Sequence, residues 1–546
     1  MSKEIFYDDQ ARNRLLKGAE TLYNAVKTTM GPKGRNVVID KSYGSPTITH
    51  DGVTVAKAVE LPNDQTESYG YKTGAELIKQ AASKMNDIAG DGTTTVTILT
   101  YHILSEANKL IAAGSNPMHL RKDLEAAGTE VIEALKSKAE DIGSKKEKVA
   151  QVATISAGDE RIGEEIAAIM DKVGKDGVVT VEEGQSLNLE SDVVEGFTFE
   201  RGFISPYMVT DPARMEAVYD KPAIVVTDKK ISSMKDILSF VEKLATAGQK
   251  NLVLIAEDVD GEALGTLVLN KLKGVFNTVA IKAPAFGDNR TETLQDIAIL
   301  TGATLITDKQ GLDFDNVGLE AVGSARKVIV DKDSTTIIEG AGNPGEVAAR
   351  IAQVRSQAET AVSEYDKENG LKRAAALNGK VAVIKVGGAT ETEIEEKKFR
   401  VDDAVAAVKA ALEEGIVPGG GITLINAVPK AAAGANTAPG AQILYRALEQ
   451  PFRILLENSG MNPDEWLPQI RDGKSGHGID VSDSAPKLVD MKAQGVVDPL
   501  RVTREAVQNA VSIAGTAMTM GALIVDLPAK EPPAGGMDGG GMGMGM

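Results

Sequence analysis

The run Gly90-Asp91-Gly92-Thr93-Thr94-Thr95 is the part of this sequence best suited to chemistry. Glycines let a backbone approach a phosphate closely, and the amides that open a helix attract anions. Three hydroxyls add donors, and a carboxylate such as Asp91 beside phosphates can hold Mg2+. The same residues also read as a polar loop in which Asp or Thr caps a helix. The run is not a Walker A loop, because the Gly-Lys-Ser/Thr ending is missing. No Gly-x-Gly-x-x-Gly follows a clear strand, so a dinucleotide fold has little support.

Other segments offer chemistry less distinctly. Thr29-Met30-Gly31-Pro32-Lys33-Gly34 is a Gly/Pro loop or a simple helix stop, and Val417-Pro418-Gly419-Gly420-Gly421 is a third loop of that kind. Asp51, in Asp51-Gly52, reads as a turn former. Arg400-Val401-Asp402-Asp403-Ala404 is expected to open a helix whose apolar stripe is Val401, Val405, Val408 and Leu412. On such a helix Asp403 lies about 200° from Val401, turned to solvent or to a ligand. The plainer reading is an acid in a first helical turn, favoured by the dipole by about 0.3–1 kcal/mol. With no cysteine, a disulfide, a thiolate zinc site and a cysteine nucleophile are all excluded.

The elements that position these residues follow from periodicity. Residues 9–29 read as an amphipathic helix through Leu15, Ala19, Leu22 and Val26, stopped by Gly31-Pro32. Residues 36–40 form a short strand, and 46–49 and 53–56 read as two strands joined through Asp51-Gly52. Gly90–Thr95 opens a helix with the stripe Val96, Leu99, Ile103, Ala107 and Leu110, ended by Gly114. From about 178 to 340 the pattern becomes α/β, with strands at 223–227, 252–256, 279–282 and 327–330 and helices near 234–247, 261–273 and 290–301. One long helix is expected over 344–377, capped by Asn343 with Pro344 first and Glu346 completing a capping box. Its stripe is Val347, Ile351, Val354, Ala358, Ala361 and Tyr365. A strand at 381–386 and a mostly helical region over 400–525 follow, and the Gly/Met tail cannot bury a core and should be disordered. Helical ends around an α/β middle suggest an inserted domain.

Composition narrows the class. At 546 residues the chain should hold three or four domains. Hydrophobic residues are 42% but aromatics only 4%, so the cores must rest on Ala, Val, Ile and Leu. A formal charge of −18 argues against nucleic acid or an anionic membrane as partner. No run reaches about 18 apolar residues, and the first nine residues carry neither a signal core nor transit character, so a soluble cytoplasmic protein is expected. Leu264, Val268 and Leu269 share one helix face, as do Leu238 and Val241; these are core faces or an exposed apolar groove.

Taken together, the chain resembles the bacterial 60-kDa (group I) chaperonin family. The matching runs are residues 29–38, 90–95, 201–207, 256–264, 282–288, 381–391, 419–421 and 498–504, with the Gly/Met tail, in order along essentially the whole chain. The resemblance implies a multidomain α and α/β fold. An equatorial ATPase domain would span 1–137 and 414–527, an intermediate hinge domain 138–195 and 380–413, and an apical domain 196–379, followed by the tail 528–546. It implies an ATPase using Mg2+ and K+. Thr29, Met30, Gly31, Pro32, Asp91, Gly92, Thr93, Thr94, Thr95, Gly420 and Asp498 would hold ATP, together with His50 and the adenine-contacting segment Asp480, Val481 and Ser482. Asp91 would be a metal ligand, and Asp51 and Asp403 would orient or deprotonate the attacking water. Phe203, Tyr207, Leu238, Val241, Leu264, Val268 and Leu269 would bind non-native polypeptides and a small co-chaperonin, with hinges at Gly196, Gly379 and Gly415. The assembly implied is a homo-oligomer of two stacked seven-membered rings. Three positions depart from the family pattern: His50 replaces a usual Lys, Asp480 replaces an Asn, and about two extra residues stand near 482–486. The rival classes are a soluble ATP-dependent metabolic enzyme and an archaeal-type (group II) chaperonin; the Gly/Met tail and the lack of a long apical insertion oppose the second.

Overall fold

The computed structural model describes residues 3–527, except 41–45, 63–67, 144, 175–176, 185, 213, 362, 430–436 and 484–485. The tail 528–546 therefore lies outside the described residues. The chain divides into two compact units, one formed by residues 1–168, 185–187 and 387–546, the other by 169–184 and 188–386.

The first unit begins with strand β1 (Lys3–Tyr7) and helix α1 (Asp8–Val26), which closes in a 3-10 turn at Lys27–Thr29. The hairpin β2 (Val37–Ile39) and β3 (Thr47–Thr49) pairs Val37 with Thr49. Residues 53–56 are not a strand. They lie in helix α2 (Gly52–Ala58), because Asp51 accepts hydrogen bonds from the Val53 and Thr54 amides and so caps a helix instead of making a hairpin turn. Helices α3 (Tyr71–Ala89), α4 (Thr93–Ala112), α5 (Pro117–Lys136) and α6 (Lys146–Ala157) follow. A Cβ on Gly18 would stand 1.8 Å from the Tyr71 carbonyl, and one on Gly74 1.9 Å from that of Leu15. Only glycine at both places lets α1 and α3 touch backbone to backbone. Leu22, Ile78, Leu99, Ile103 and Leu124 fill the aliphatic core that results.

The division of the chain falls within α7 (Glu160–Val173). The second unit is the α/β segment. Its strands are β4 (Val178–Glu183), β5 (Glu190–Phe199), β6 (Ala217–Asp220), β7 (Ala223–Thr227), β8 (Lys230–Ile231), β9 (Asn251–Ala256), β10 (Asp258–Val259), β11 (Asn277–Lys282), β12 (Leu305–Ile306), β13 (Gly323–Val330), β14 (Thr335–Gly340) and β15 (Lys380–Val386). The main ladder runs β11-β9-β7-β13-β14-β5-β15-β4, with β12 on β7 and β6 on β13, while β8 pairs β10. The first three strands are parallel and, but for Thr227 and Thr278, apolar where buried, which explains why they read as apolar runs. Helices α8 (Leu238–Thr246, preceded by a 3-10 turn at Met234–Asp236), α9 (Gly261–Leu272) and α10 (Gly287–Thr301) cover this sheet.

The single helix expected over 344–377 is two: α11 (Pro344–Thr360) and α12 (Glu364–Leu377). Ala361 is extended, with φ −64° and ψ 135°, and the helices fold back on one another. The fold-back brings two cations to one acid. Arg350 on α11 and Arg373 on α12 both bond Asp296 of α10, at 2.8 Å and 2.7 Å, and an unbroken helix could not present both. Tyr365, placed in the stripe by periodicity, is 67% exposed.

The chain then returns to the first unit. Helix α13 (Glu391–Glu414) starts nine residues before Arg400, so Asp402 and Asp403 sit in mid-helix and not in a first turn. Strands β16 (Ile416–Pro418), β17 (His477–Ile479), β18 (Leu488–Asp490), β19 (Val497–Pro499) and β20 (Ala522–Asp526) alternate with helices α14 (Ile422–Ala427), α15 (Pro439–Leu448), α16 (Gln450–Asn458), α17 (Pro463–Asp472) and α18 (Leu500–Ala517). Helix α18 packs on α3, α4 and α5, α13 packs on α6, and β20 pairs β1 antiparallel with Lys3 opposite Asp526. The fold is thus multidomain α and α/β, with the second unit inserted in the first.

Candidate functional site

Gly92 is the N-cap of α4 in a left-handed conformation, φ +79°, which a side chain would strain. That conformation turns the chain sharply, so Asp91 stands at the helix mouth beside the amides of Thr93, Thr94 and Thr95, which have no partner within the helix. Asp91 accepts from the Gly92 amide and, at 3.2 Å, from the Ser156 hydroxyl of α6. The Thr29 and Thr94 hydroxyls meet at 3.2 Å, bringing the loop after α1 to the same mouth. Asn458 of α16 fastens that loop, donating to the Lys27 and Met30 carbonyls at 3.0 Å each. Met30 and Gly31 lean on the cluster around Leu455, and Pro32 continues the turn.

Carboxylates converge here from four elements. Asp51 caps α2, Asp91 precedes α4, Asp403 lies on α13, and Asp498 lies on β19 opposite Val417. Burial, and then the charges of Asp51, Asp91 and Asp402, push Asp403 well above the usual carboxylate range. Burial also raises Asp91, against the Gly92 and Ser156 hydrogen bonds and with Asp51 adding to the rise. Asp498 is pushed up to about 7 by burial and by Asp91. Of the two readings its helical angle left open, solvent or a ligand, Asp403 is not turned to open solvent: its carboxyl is withdrawn from water and faces other acids.

The Gly419–Gly421 loop joins β16 to α14, with Gly420 at φ +69°, and the Gly419 amide bonds the Val496 carbonyl. It therefore runs beside Asp498. Asp480, Val481 and Ser482 follow β17; Val481 is buried against Ile422 and Phe452, and Asp480 accepts from the Ser482 amide and hydroxyl. The expected insertion near 482–486 lies partly outside the described residues. His50 follows β3, with Nδ1 3.3 Å from the Asn36 side-chain oxygen. Burial and Arg400 hold its imidazole below the usual histidine value, against Glu396 and Asp51.

Ser156, Asn458 and Glu396 were not singled out by sequence, and Arg400 only as the first residue of the 400–404 run. Ser156 and Asp91 are 65 positions apart, and a serine near a helix end carries no local signal of its partner.

Chemically, acids that resist ionising together are relieved by a cation, and helix amides attract an anion. A polyanion carrying its own cation meets both demands. Among the described residues no three His, Cys, Asp or Glu side chains are grouped to enclose a metal, so a cation here would draw further ligands from the bound molecule. The residues therefore fit a metal–polyphosphate.

The apolar residues belong to the second unit. In α8 and α9 the core face is Phe240, Leu244, Ala263 and Leu267. Leu264, Val268, Val241 and Phe203 are half-buried against it, while Tyr207 is 68%, Leu238 44% and Leu269 49% exposed. Four of the set thus pack on the edge of the core and three are exposed. The Gly196 amide bonds the Gly379 carbonyl at 3.2 Å where β5 meets β15, and Gly415 closes α13 at φ +84°.

Among solved structures, the chain is similar to the chaperonin gp146 from bacteriophage EL (Pseudomonas aeruginosa). The TM-score is 0.64 at 22% identity, over 96% of this chain and 99% of that one, a likeness of fold. No helix is long and apolar enough to cross a membrane among the described residues. The model of the TCP-1/cpn60 chaperonin family matches residues 22–528, and the chain belongs to that family.

Proposed function

We propose that this chain is a subunit of an ATP-driven chaperonin ring that folds other polypeptides. The observation that carries the reading is the meeting of Asp91, Asp403 and Asp498, all held above the usual carboxylate range, at the amide-rich mouth of α4. ATP would lie across the Thr29–Pro32 loop, Asp91–Thr95 and Gly420, with the base near Asp480–Ser482 and Asp498 close by. His50 would stand near the phosphates. Asp91 would hold Mg2+, which neutralises charge on the phosphates, and K+ would sit by the Thr29–Pro32 loop. The gp146 chaperonin was solved in the presence of ATP-BeFx, which accords with a nucleotide site in a chain of this fold.

The two acids are suited to different tasks. Asp403, raised by burial and by its acidic neighbours, is a stronger base than an ordinary carboxylate, and is suited to take a proton from the attacking water. Asp51 already accepts from two amides and the Thr54 hydroxyl, so it is suited to hold and orient. The apolar surface on α8, α9 and the Phe203–Tyr207 segment would take non-native chains and the mobile segment of a small co-chaperonin. Gly196, Gly379 and Gly415 would be the hinges of a three-domain subunit, equatorial, intermediate and apical. The working particle would be two stacked seven-membered rings in the cytoplasm, closing an acidic chamber.

The test is Asp403→Ala. ATP turnover should fall at least about 100-fold, or about 2.7 kcal/mol of barrier, with ATP binding and ring assembly kept. Turnover within about twofold, worth only about 0.4 kcal/mol, would overturn the catalytic assignment.

A further inference from the structure

The segment after β5 presents its most exposed aromatic ring, Tyr207, in a single 3-10 turn, Pro206–Met208. A turn that short has little stability of its own, so its place depends on how the flanking chain is fastened. Upstream, the Phe203 amide bonds the Asp331 carbonyl and the Ile204 amide bonds that of Ala280. In the middle, the fully buried Met208 accepts from the Ala280 amide through its sulfur. These contacts fix one side of the turn to β11 and to the connection between β13 and β14. The side towards α9 is held differently: Lys271 Nζ donates to the Tyr207 carbonyl at 3.2 Å and to the Val209 carbonyl at 2.7 Å.

Lys271 lies seven positions after Leu264 and three after Val268 on α9, so the three share one helical face. Its ammonium is drawn off that face into the carbonyls of the turn. Burial lowers its basicity, and no carboxylate pairs with it in an ion pair among the described residues. A lysine half-withdrawn from water and bonded to two main-chain carbonyls is arranged to hold a backbone in place, not to decorate a surface.

We propose that Lys271 is the positioning residue of the apolar surface, setting the distance between the Tyr207 ring and the Leu264–Val268 face and so the shape of the groove that receives an apolar segment of a non-native chain. This rests on the reading of that surface as the client site. The ring then acts as a fixed wall, and the segments preferred are those whose apolar side chains span from α9 to the phenol. Without Lys271 the turn keeps its β11 contacts but is free on the α9 side, and the wall swings.

The experiment uses the full-length assembled protein and reduced, carboxymethylated α-lactalbumin, a permanently unfolded chain, as probe. Amide hydrogen exchange of residues 207–210 should quicken at least about tenfold in Lys271→Met, while the buried part of α9 is unchanged. Binding of the probe should weaken about fivefold, and Lys271→Arg, which also offers two donors, should restore it to within about twofold. In a Tyr207→Ala background Lys271→Met should add almost nothing. Unchanged exchange at 207–210 would overturn the proposal, as would losses for Lys271→Met and Tyr207→Ala that multiply independently. Leu264→Ser is the control for the site itself. If it leaves probe binding intact, the client-site reading fails. If it abolishes binding while Lys271→Met does nothing, only the positioning role fails.

Discussion

The Ser156 hydroxyl donates to the Asp91 carboxylate across 3.2 Å, tying α6 to the mouth of α4. The bond favours the ionised acid against the burial that opposes it. Ser156→Ala should therefore leave Asp91 more protonated and raise the Mg2+ concentration needed for half-maximal ATP turnover about five- to tenfold. A hydrogen bond to a charged group is worth about 1.5–3 kcal/mol, which bounds the effect. Titrating turnover with Mg2+ at fixed ATP checks it; an unchanged midpoint would remove Ser156 from the site.

Asp498 titrates near 7 in the fold and near 3.9 in an unfolded chain. The native state therefore holds this proton more tightly. The stability it contributes is complete at low pH and is lost as pH rises through about 4 to 7. Asp498→Asn should flatten that part of the stability curve and raise the melting temperature at pH 8 without nucleotide, while weakening ATP turnover. Thermal melts at pH 5 and pH 8 decide it, and parallel losses in both proteins would contradict the assignment.

His50 is held below its usual pKa by burial and Arg400, so at pH 7 the ligand-free imidazole is neutral. Bound phosphates would pull a proton onto it. ATP affinity should rise as pH falls from 8 to 6 about threefold more than in His50→Lys, whose charge is constant over that range. Binding titrations of both proteins at fixed Mg2+ and K+ measure the difference. Parallel profiles would show that His50 makes no charge-dependent contact.

Asp296 is fully buried between Arg350 and Arg373. Asp296→Ala should destabilise the second unit by about 3–5 kcal/mol, because two guanidinium groups lose their buried partner and keep only the half-exposed Glu292. The only tryptophan, Trp466, lies in the first unit, so hydrogen exchange at α10–α12 is the proper probe, not fluorescence. Asp296→Leu with Arg350→Met should cost less than Asp296→Ala alone.

Adjacent residues on α9 offer a sharp contrast. Leu267 is 1% exposed and Val268 only half-buried. Leu267→Glu should unfold the second unit, at a cost of several kcal/mol for a buried unpaired charge. Val268→Glu should leave soluble rings that no longer bind unfolded chains. Loss of soluble protein in both would place Val268 in the core.

The sequence was most legible where one local rule acted alone. The buried parallel strands β7, β9 and β11 and the stripe of α4 followed from apolar runs and spacing. It failed where a side-chain contact outside the apolar pattern accompanied the outcome. Asp51-Gly52 has the composition of a hairpin turn, but the Asp51 side chain reaches the Val53 and Thr54 amides and caps a helix instead. Periodicity runs unbroken through Ala361, yet the chain folds back there and both helices meet Asp296 of a third. Asp403 pointed away from its own helix's stripe as expected, but the surface there belongs to other segments, and single-helix geometry cannot show that it faces Asp51 and Asp91.

The interleaving of the two units has a consequence for synthesis. The second unit is complete once residue 386 has left the ribosome, and can close while translation continues. Helices α3 to α5 emerge much earlier, yet the faces they turn to α18 wait for a helix made near the end. Until α18 is made, this chain is therefore a nascent polypeptide with helix faces on α3, α4 and α5 still uncovered.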